Sequence, residues 1–360
     1  MATVGPHLHF IKQGARLTPR SKHEGTGREL TMKTPQILTA ILATAGFISG
    51  AAFAEPALIY DMGGKFDKSF NESAYTGAER FKAATGSGYR EIELQSQAQR
   101  EQAIRRFAEA GNNPVVMTGF AFGSALAKVA PEFPDTKFVI IDMVVDEPNV
   151  QSIVFKEHEG SFLVGYLAAE TSESDVIGFV GGMDIPLIRR FACGYVQGAK
   201  AANPDVQVIQ NMTGNEPTAW NDPVKGSELT KAQVAAGADV VYHAAGGTGV
   251  GVLQAAADAG ILGIGVDANQ NHLHPGAVLT SMIKRVDVAV EEAFTQGSNI
   301  EPGITVLGLA QDGVGYALDE NNQSLISDDM QATIENLREQ IIGGDIRVHD
   351  YVSDGSCPVS

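Results

Sequence analysis

From Glu55 to Ile342 the chain alternates short apolar runs with amphipathic stretches, and this alternation limits the possible folds more than any other feature. Strand-like runs fall at 57–61, 89–94, 114–118, 137–142, 150–155, 176–180, 206–210, 239–243, 262–266, 278–282 and 304–308. Helical periodicity occupies the intervals, at 71–84, 100–110, 123–130, 161–172, 187–203, 223–236, 250–259, 286–296 and 328–342. Repeated strand–helix units build mostly parallel sheets with helices on both faces, and this many strands suit two sheets better than one. The expected seam is 154–160, where a strand runs into a polar loop, Lys156-Glu157-His158-Glu159-Gly160, with a return crossing near 279–284. The expected architecture is α/β with two doubly wound lobes. Lobe 1 spans 55–158 plus about 283–312, and lobe 2 spans 159–282 plus about 313–360.

The segment ahead of Glu55 reads differently. Met32-Lys33, an apolar run at 37–52 and the small-x-small triplet Ala52-Phe53-Ala54 make 32–54 a secretory signal peptide cut after Ala54. The run is too short and too rich in Gly, Ala and Thr for a membrane anchor. No cysteine follows the cut, so a periplasmic protein that is not a lipoprotein is expected. Residues 1–31 show no apolar periodicity and are read as a mis-assigned upstream extension.

With 360 residues, 44% of them hydrophobic, the chain can bury a substantial core. Its formal net charge is −17, and the part after residue 54 is more acidic still, which argues against nucleic acid or anionic lipid as a partner. Cys193 and Cys357 have no metal-ligand spacing, and whether they pair is left open by sequence. His272 and His274 lack a third ligand at a diagnostic spacing, so neither metal nor cofactor is expected.

Six loops at strand ends are richer in polar residues than turns require: 61–71, 118–123, 142–147, 181–191, 243–249 and 267–274. Parallel α/β sheets bind ligands at the carboxyl ends of their strands, and two such rims facing each other make a cleft. In the first loop Phe70 is either a plug over the following helix or a face for a flat ligand. The run Gly246-Gly247-Thr248-Gly249-Val250-Gly251 does not keep the dinucleotide spacing, and close approach of a ligand to bare backbone explains its glycines better. Asp267, ending an apolar strand, can accept two hydrogen bonds from a vicinal diol, and Lys284 is a donor of matching reach; each is otherwise a solvated surface charge. No nucleophile elbow, zinc-protease motif or local cysteine signature is present, so a binder that closes on a ligand is favoured over an enzyme.

The segments DMGGKFDKSFNESAYTGAERF, GFVGGMDIPLIRRFACGYVQGAK, VVYHAAGGTGVGVLQAA, IGVDANQ and VLTSMIKRVDVAV resemble, in order and spacing, the basic membrane protein (Bmp) family of ABC-transporter substrate-binding proteins. The resemblance implies a type I periplasmic-binding-protein fold with three crossover strands, a purine nucleoside as ligand and an inner-membrane permease as partner. It implies that Phe70 and Phe191 sandwich the base, that Asn71 and Asp142 bind its edge, and that Asp267 and Lys284 hold the ribose. Gly246 and Gly247 would admit the ligand to the backbone, while Asp67 either joins the site or caps the helix at Asn71. Trp220, the single tryptophan, is expected to pack against its lobe. Competing expectations are a periplasmic sensor, a binder of another small molecule and an α/β enzyme acting on nucleosides.

Overall fold

The computed structural model describes residues 54–359, so the expected extension and nearly all of the signal peptide lie outside the described residues. The apolar run at Ala57–Tyr60 forms β1, followed by β2 (Arg90–Glu93), β3 (Val115–Thr118), β4 (Phe138–Ile141) and β5 (Val150–Phe155). With β11 (Gly303–Leu307) they make a parallel sheet in the order β11-β5-β4-β3-β1-β2. A second sheet contains β6 (Val176–Met183), β7 (Gln207–Gly214), β8 (Val240–Ala244), β9 (Leu262–Asp267), β10 (Val278–Lys284) and β12 (Val314–Tyr316). Its order is β12-β10-β9-β8-β6-β7, parallel except where β12 runs against β10. β1, β3, β4 and β8 are buried along their whole length, which is why they read as unbroken apolar runs rather than alternating ones.

Helices α1 (Phe70–Thr85), α2 (Arg100–Glu109) and α3 (Gly123–Val129) serve the first sheet. Helices α4 (Glu157–Thr171), α5 (Pro186–Ala202), α6 (Pro223–Ala235) and α7 (Gly249–Asp258) serve the second, as does α9 (Asp328–Gly343), while α8 (Val286–Gln296) returns to pack on α1. The chain therefore passes between sheets three times: after β5, after β10 and after β11. Two doubly wound lobes with three crossings are the expected fold class.

Two details depart from expectation. The KEHEG segment is not a loop: Lys156 stands at the N-cap and Glu157 begins α4, with Glu157, His158 and Glu159 all buried. Acids suit the first turn of a helix because its free N–H groups carry partial positive charge, and their polarity masks the apolar pattern that marks the rest of α4. Strand β12 went unrecognised because Val314-Gly315-Tyr316 is too short to show a period.

α4 and α5 pack backbone to backbone. A Cβ on Gly198 would lie 1.9 Å from the Phe162 carbonyl oxygen, and one on Gly194 2.4 Å from that of His158. This close approach brings α5 alongside the start of α4, with Arg190 Nη1 3.0 Å from Glu157 Oε2. A disulfide between Cys193 and Cys357, with Cα atoms 5.6 Å apart, fastens the tail beyond α9 to α5.

Candidate functional site

The loops leaving β1, β3, β4, β6, β7, β8 and β9 converge on one cavity between the sheets. Asp61, Asp67, Phe70, Asn71, Phe120 and Asp142 line it from the first lobe, and Ile188, Phe191, Trp220, Gly246 and Asp267 from the second. Lys284, the last residue of β10, closes it at a crossing between lobes. All the expected site residues except Gly247 are thus brought to one place.

Their interactions differ from one another. Lys284 is buried rather than a solvated surface charge: its Nζ lies 2.7 Å from Asp142 Oδ2 and 3.0 Å from Glu157 Oε1. It also sits 5.2, 5.1 and 5.6 Å from the ring centres of Phe70, Phe155 and Phe191, within reach of cation–π attraction. Burial works against its charge, but Asp142, Glu157 and Asp267 outweigh burial and hold the ammonium above its ordinary range. Burial pushes the Asp142 carboxyl up to about 6 against the pull of Lys284. Among the described residues Asp142 Oδ1 has no hydrogen-bond partner, although it is buried.

Asp267 is buried and accepts the Ser69 hydroxyl through Oδ2, a bond that joins the two lobes. Burial raises its carboxyl above the usual range, against Lys284 and Ser69. Asp142 and Asp267 both have left-handed backbones, φ 70° and 64°, a conformation that non-glycine residues adopt at a cost where the surroundings hold them. A second bond between lobes runs from Gln270 Nε2 to the Lys68 carbonyl, 2.9 Å, and the same Gln270 meets the buried His243 through Oε1 at 2.9 Å.

Asp67 and Asn71 work mainly on the loop itself. Asp67 accepts the backbone N–H groups of Ser69, Asn71 and Glu72 at 2.8, 3.0 and 3.1 Å, capping α1 in place of the N-cap Ser69 side chain. Burial nevertheless pushes its carboxyl up to about 7. Asn71 spends both amide hydrogens on the Asp61 and Gly64 carbonyls, each at 3.1 Å, and its Oδ1 accepts from Thr118. Gly246, at φ 56°, and Gly247 admit the Trp220 carbonyl: a Cβ on either would sit 3.3 Å from it.

Trp220 departs from the expected packing against its own lobe alone. Its ring lies over bare Gly182, where a Cβ would be 2.0 Å away, but the residue also lines the cavity and its Cβ approaches Gly63 of the opposite lobe. Sequence reasoning also missed Asp61, held by Arg100 at 2.9 Å, and the ionic partners Glu157 and Arg190 behind Lys284. Asp61 carried the same signal as Asp267, an acid ending an apolar strand; Glu157 and Arg190 carried none.

Two facing α/β lobes, three crossings and a cavity at the strand ends define a solute-binding protein of the type I periplasmic-binding-protein class. The chain belongs to the Bmp family: the model described as ABC transporter substrate-binding protein PnrA-like matches residues 55–350. A solute-binding protein of an ABC transporter system from Aeropyrum pernix K1 superposes with a TM-score of 0.76 at 29% identity, covering 82% of this chain and 92% of that one. The CD4+ T-cell-stimulating antigen of Listeria monocytogenes is 33% identical over 317 residues, 81% of this chain and 87% of the relative. The ABC transporter nucleoside-binding protein BmpA of Lactococcus lactis is 32% identical over 318 residues, 81% and 88% of the two chains. Membership makes this a transporter substrate-binding protein, in a family that is not one of enzymes, and implies a small-molecule ligand and a membrane permease.

The relatives overturn one expectation. Related proteins of Pyrococcus abyssi and Pyrococcus furiosus are named as lipoproteins, and those of Borrelia garinii and Borreliella afzelii as basic membrane proteins, against the reading of a protein that is not a lipoprotein. That reading hung on the junction Ala54-Glu55 alone, and the segment leading to it lies outside the described residues.

Proposed function

We propose that the protein captures a purine nucleoside between its lobes and presents it to the permease without chemical change. The observation that carries this reading is the pair Phe70 and Phe191, which line one cavity from opposite lobes around a buried cluster of Lys284, Asp142 and Asp267. A flat base gains about 1 to 3 kcal/mol from each aromatic contact, and rings drawn from both lobes make that gain depend on closure. The free oxygen of Asp142 suits a donor on the base, and Asp267 suits a vicinal diol. The name of the Lactococcus lactis relative supports a nucleoside. The lobes as proposed are 55–158 with about 283–312, and 159–282 with about 313–360. The Cys193–Cys357 bond fits a chain that works outside the reducing cytosol.

The test is a thermal-shift panel on residues 55–360, unfolded and refolded to strip carried ligand, against adenosine, guanosine, inosine, cytidine, free bases and ribose. A ligand at a hundredfold excess over its Kd adds about 2.7 kcal/mol of stability. A shift confined to purine nucleosides is expected. A shift with none of them rejects the proposed ligand, and recovery of base and ribose after incubation rejects simple capture.

A further inference from the structure

Behind the cavity stands a chain of charges that does not line it. Glu157 is fully buried, with Oε1 3.0 Å from Lys284 Nζ and Oε2 3.0 Å from Arg190 Nη1. Arg190 Nη1 also donates to the Phe155 carbonyl at 2.9 Å, while Nε and Nη2 grip both oxygens of Asp350 at 2.7 and 2.9 Å. Asp350 belongs to the tail that the Cys193–Cys357 disulfide fastens to α5, one turn from Arg190. Neither Arg190 nor Glu157 touches the cavity, but Lys284 and Asp142 do.

We propose that Arg190, held by Asp350 of the tail, is a positioning residue for the ligand: by occupying one oxygen of Glu157 it leaves Lys284 shared between Glu157 and Asp142. This rests on the cavity being the nucleoside site. A buried carboxylate demands compensation, and removing one partner of a buried pair redirects what remains. Without the guanidinium, Glu157 keeps a single cation and draws Lys284 onto itself, away from Asp142. Asp142 then faces Glu157 of α4 and Asp267 of β9 with less of the Lys284 charge from β10 to balance them. It takes up a proton more readily and stops accepting from the ligand. A fork is needed at this point, because Arg190 meets two carboxylates and a carbonyl at once, which an ammonium on a flexible stem does less well.

The experiment is calorimetric titration of adenosine and inosine into the parent, Arg190→Gln, Arg190→Lys and Asp350→Asn proteins between about pH 5 and pH 8. Arg190→Gln is expected to weaken binding about tenfold at neutral pH and to raise the pH midpoint of binding by about one unit. Arg190→Lys should recover part of both changes, and Asp350→Asn should produce a smaller shift in the same direction. A residue that only holds the tail would lower the melting temperature and leave the pH midpoint unmoved, and that outcome overturns the proposal. Where Arg190→Gln does not fold, parental affinity and midpoint in Asp350→Asn overturn it equally. Failure of the parent to bind either nucleoside rejects the reading of the cavity, whereas a binding parent with indifferent variants rejects only the role of Arg190.

Discussion

Lys284 and Asp142 join the two sheets through the cavity: the ammonium ending β10 lies 2.7 Å from the carboxylate that follows β4, and both are buried. The resemblance to the Bmp family implied opposite duties for them, ribose for Lys284 and the base edge for Asp142. Their direct pairing makes them one unit, so the protonation of Asp142 governs both. Burial pushes this carboxyl up to about 6 in the folded chain, against the pull of Lys284. Raised pKa values favour the folded state on the acid side, a contribution complete below the unfolded value and lost as pH rises through the folded one. Acceptance from a ligand runs the other way, because it needs the ionised form. Nucleoside affinity is therefore expected to fall between about pH 7 and pH 5, and Asp142→Asn should flatten that profile. Titrations at several pH values check this; a parent profile already flat would contradict it.

The two rings should each matter. Phe70→Ala is expected to weaken nucleoside binding at least about tenfold. Phe191 is also core, so Phe191→Leu is the better probe, keeping bulk while removing the flat face. Unchanged affinity in both variants would remove the sandwich.

Asp267→Asn tests the diol. Affinity for the riboside should drop while that for the free base stays, because only the riboside offers vicinal hydroxyls. Equal losses would place Asp267 elsewhere in recognition, for instance in closure through Ser69.

Trp220 provides its own signal. It is the single tryptophan of the chain and lines the cavity, so ligand entry should change the emission of the protein. A titration with no change in intensity or wavelength, under conditions where calorimetry sees binding, would put the indole outside the ligand's reach.

Loss of the Cys193–Cys357 bond should lower stability by about 2 to 5 kcal/mol, since it closes a loop of 164 residues. Denaturant unfolding of Cys193→Ser against the parent measures this. A difference well under about 1 kcal/mol would mean that the noncovalent contacts, Arg190 with Asp350 and Gln197 with the His349 backbone, suffice to hold the tail.

Sequence revealed the fold well because central strands, buried on both faces, must be apolar throughout, as at Phe138–Ile141. It also located the rims, because loops at strand ends need Gly, Asp and Asn for backbone reasons. It did not reveal Glu157. A carboxylate inside a protein is recognisable only through its cations, and Lys284 and Arg190 lie far away along the chain. Trp220 was misjudged for a related reason: whether a ring faces its own lobe or a cleft depends on Gly63, in the turn after β1, and Gly182, in β6, glycines of two different lobes.

The strand order carries a consequence for how the polypeptide comes to be folded. The first sheet receives its edge strand β11 only after residues 303–307, by which point most of the second lobe has been made. The second receives β12 later still, after the chain has visited the first lobe again. Neither half can finish without the other. Their pairings close long loops, which makes folding slow relative to local structure and binds the fate of both halves into one cooperative event.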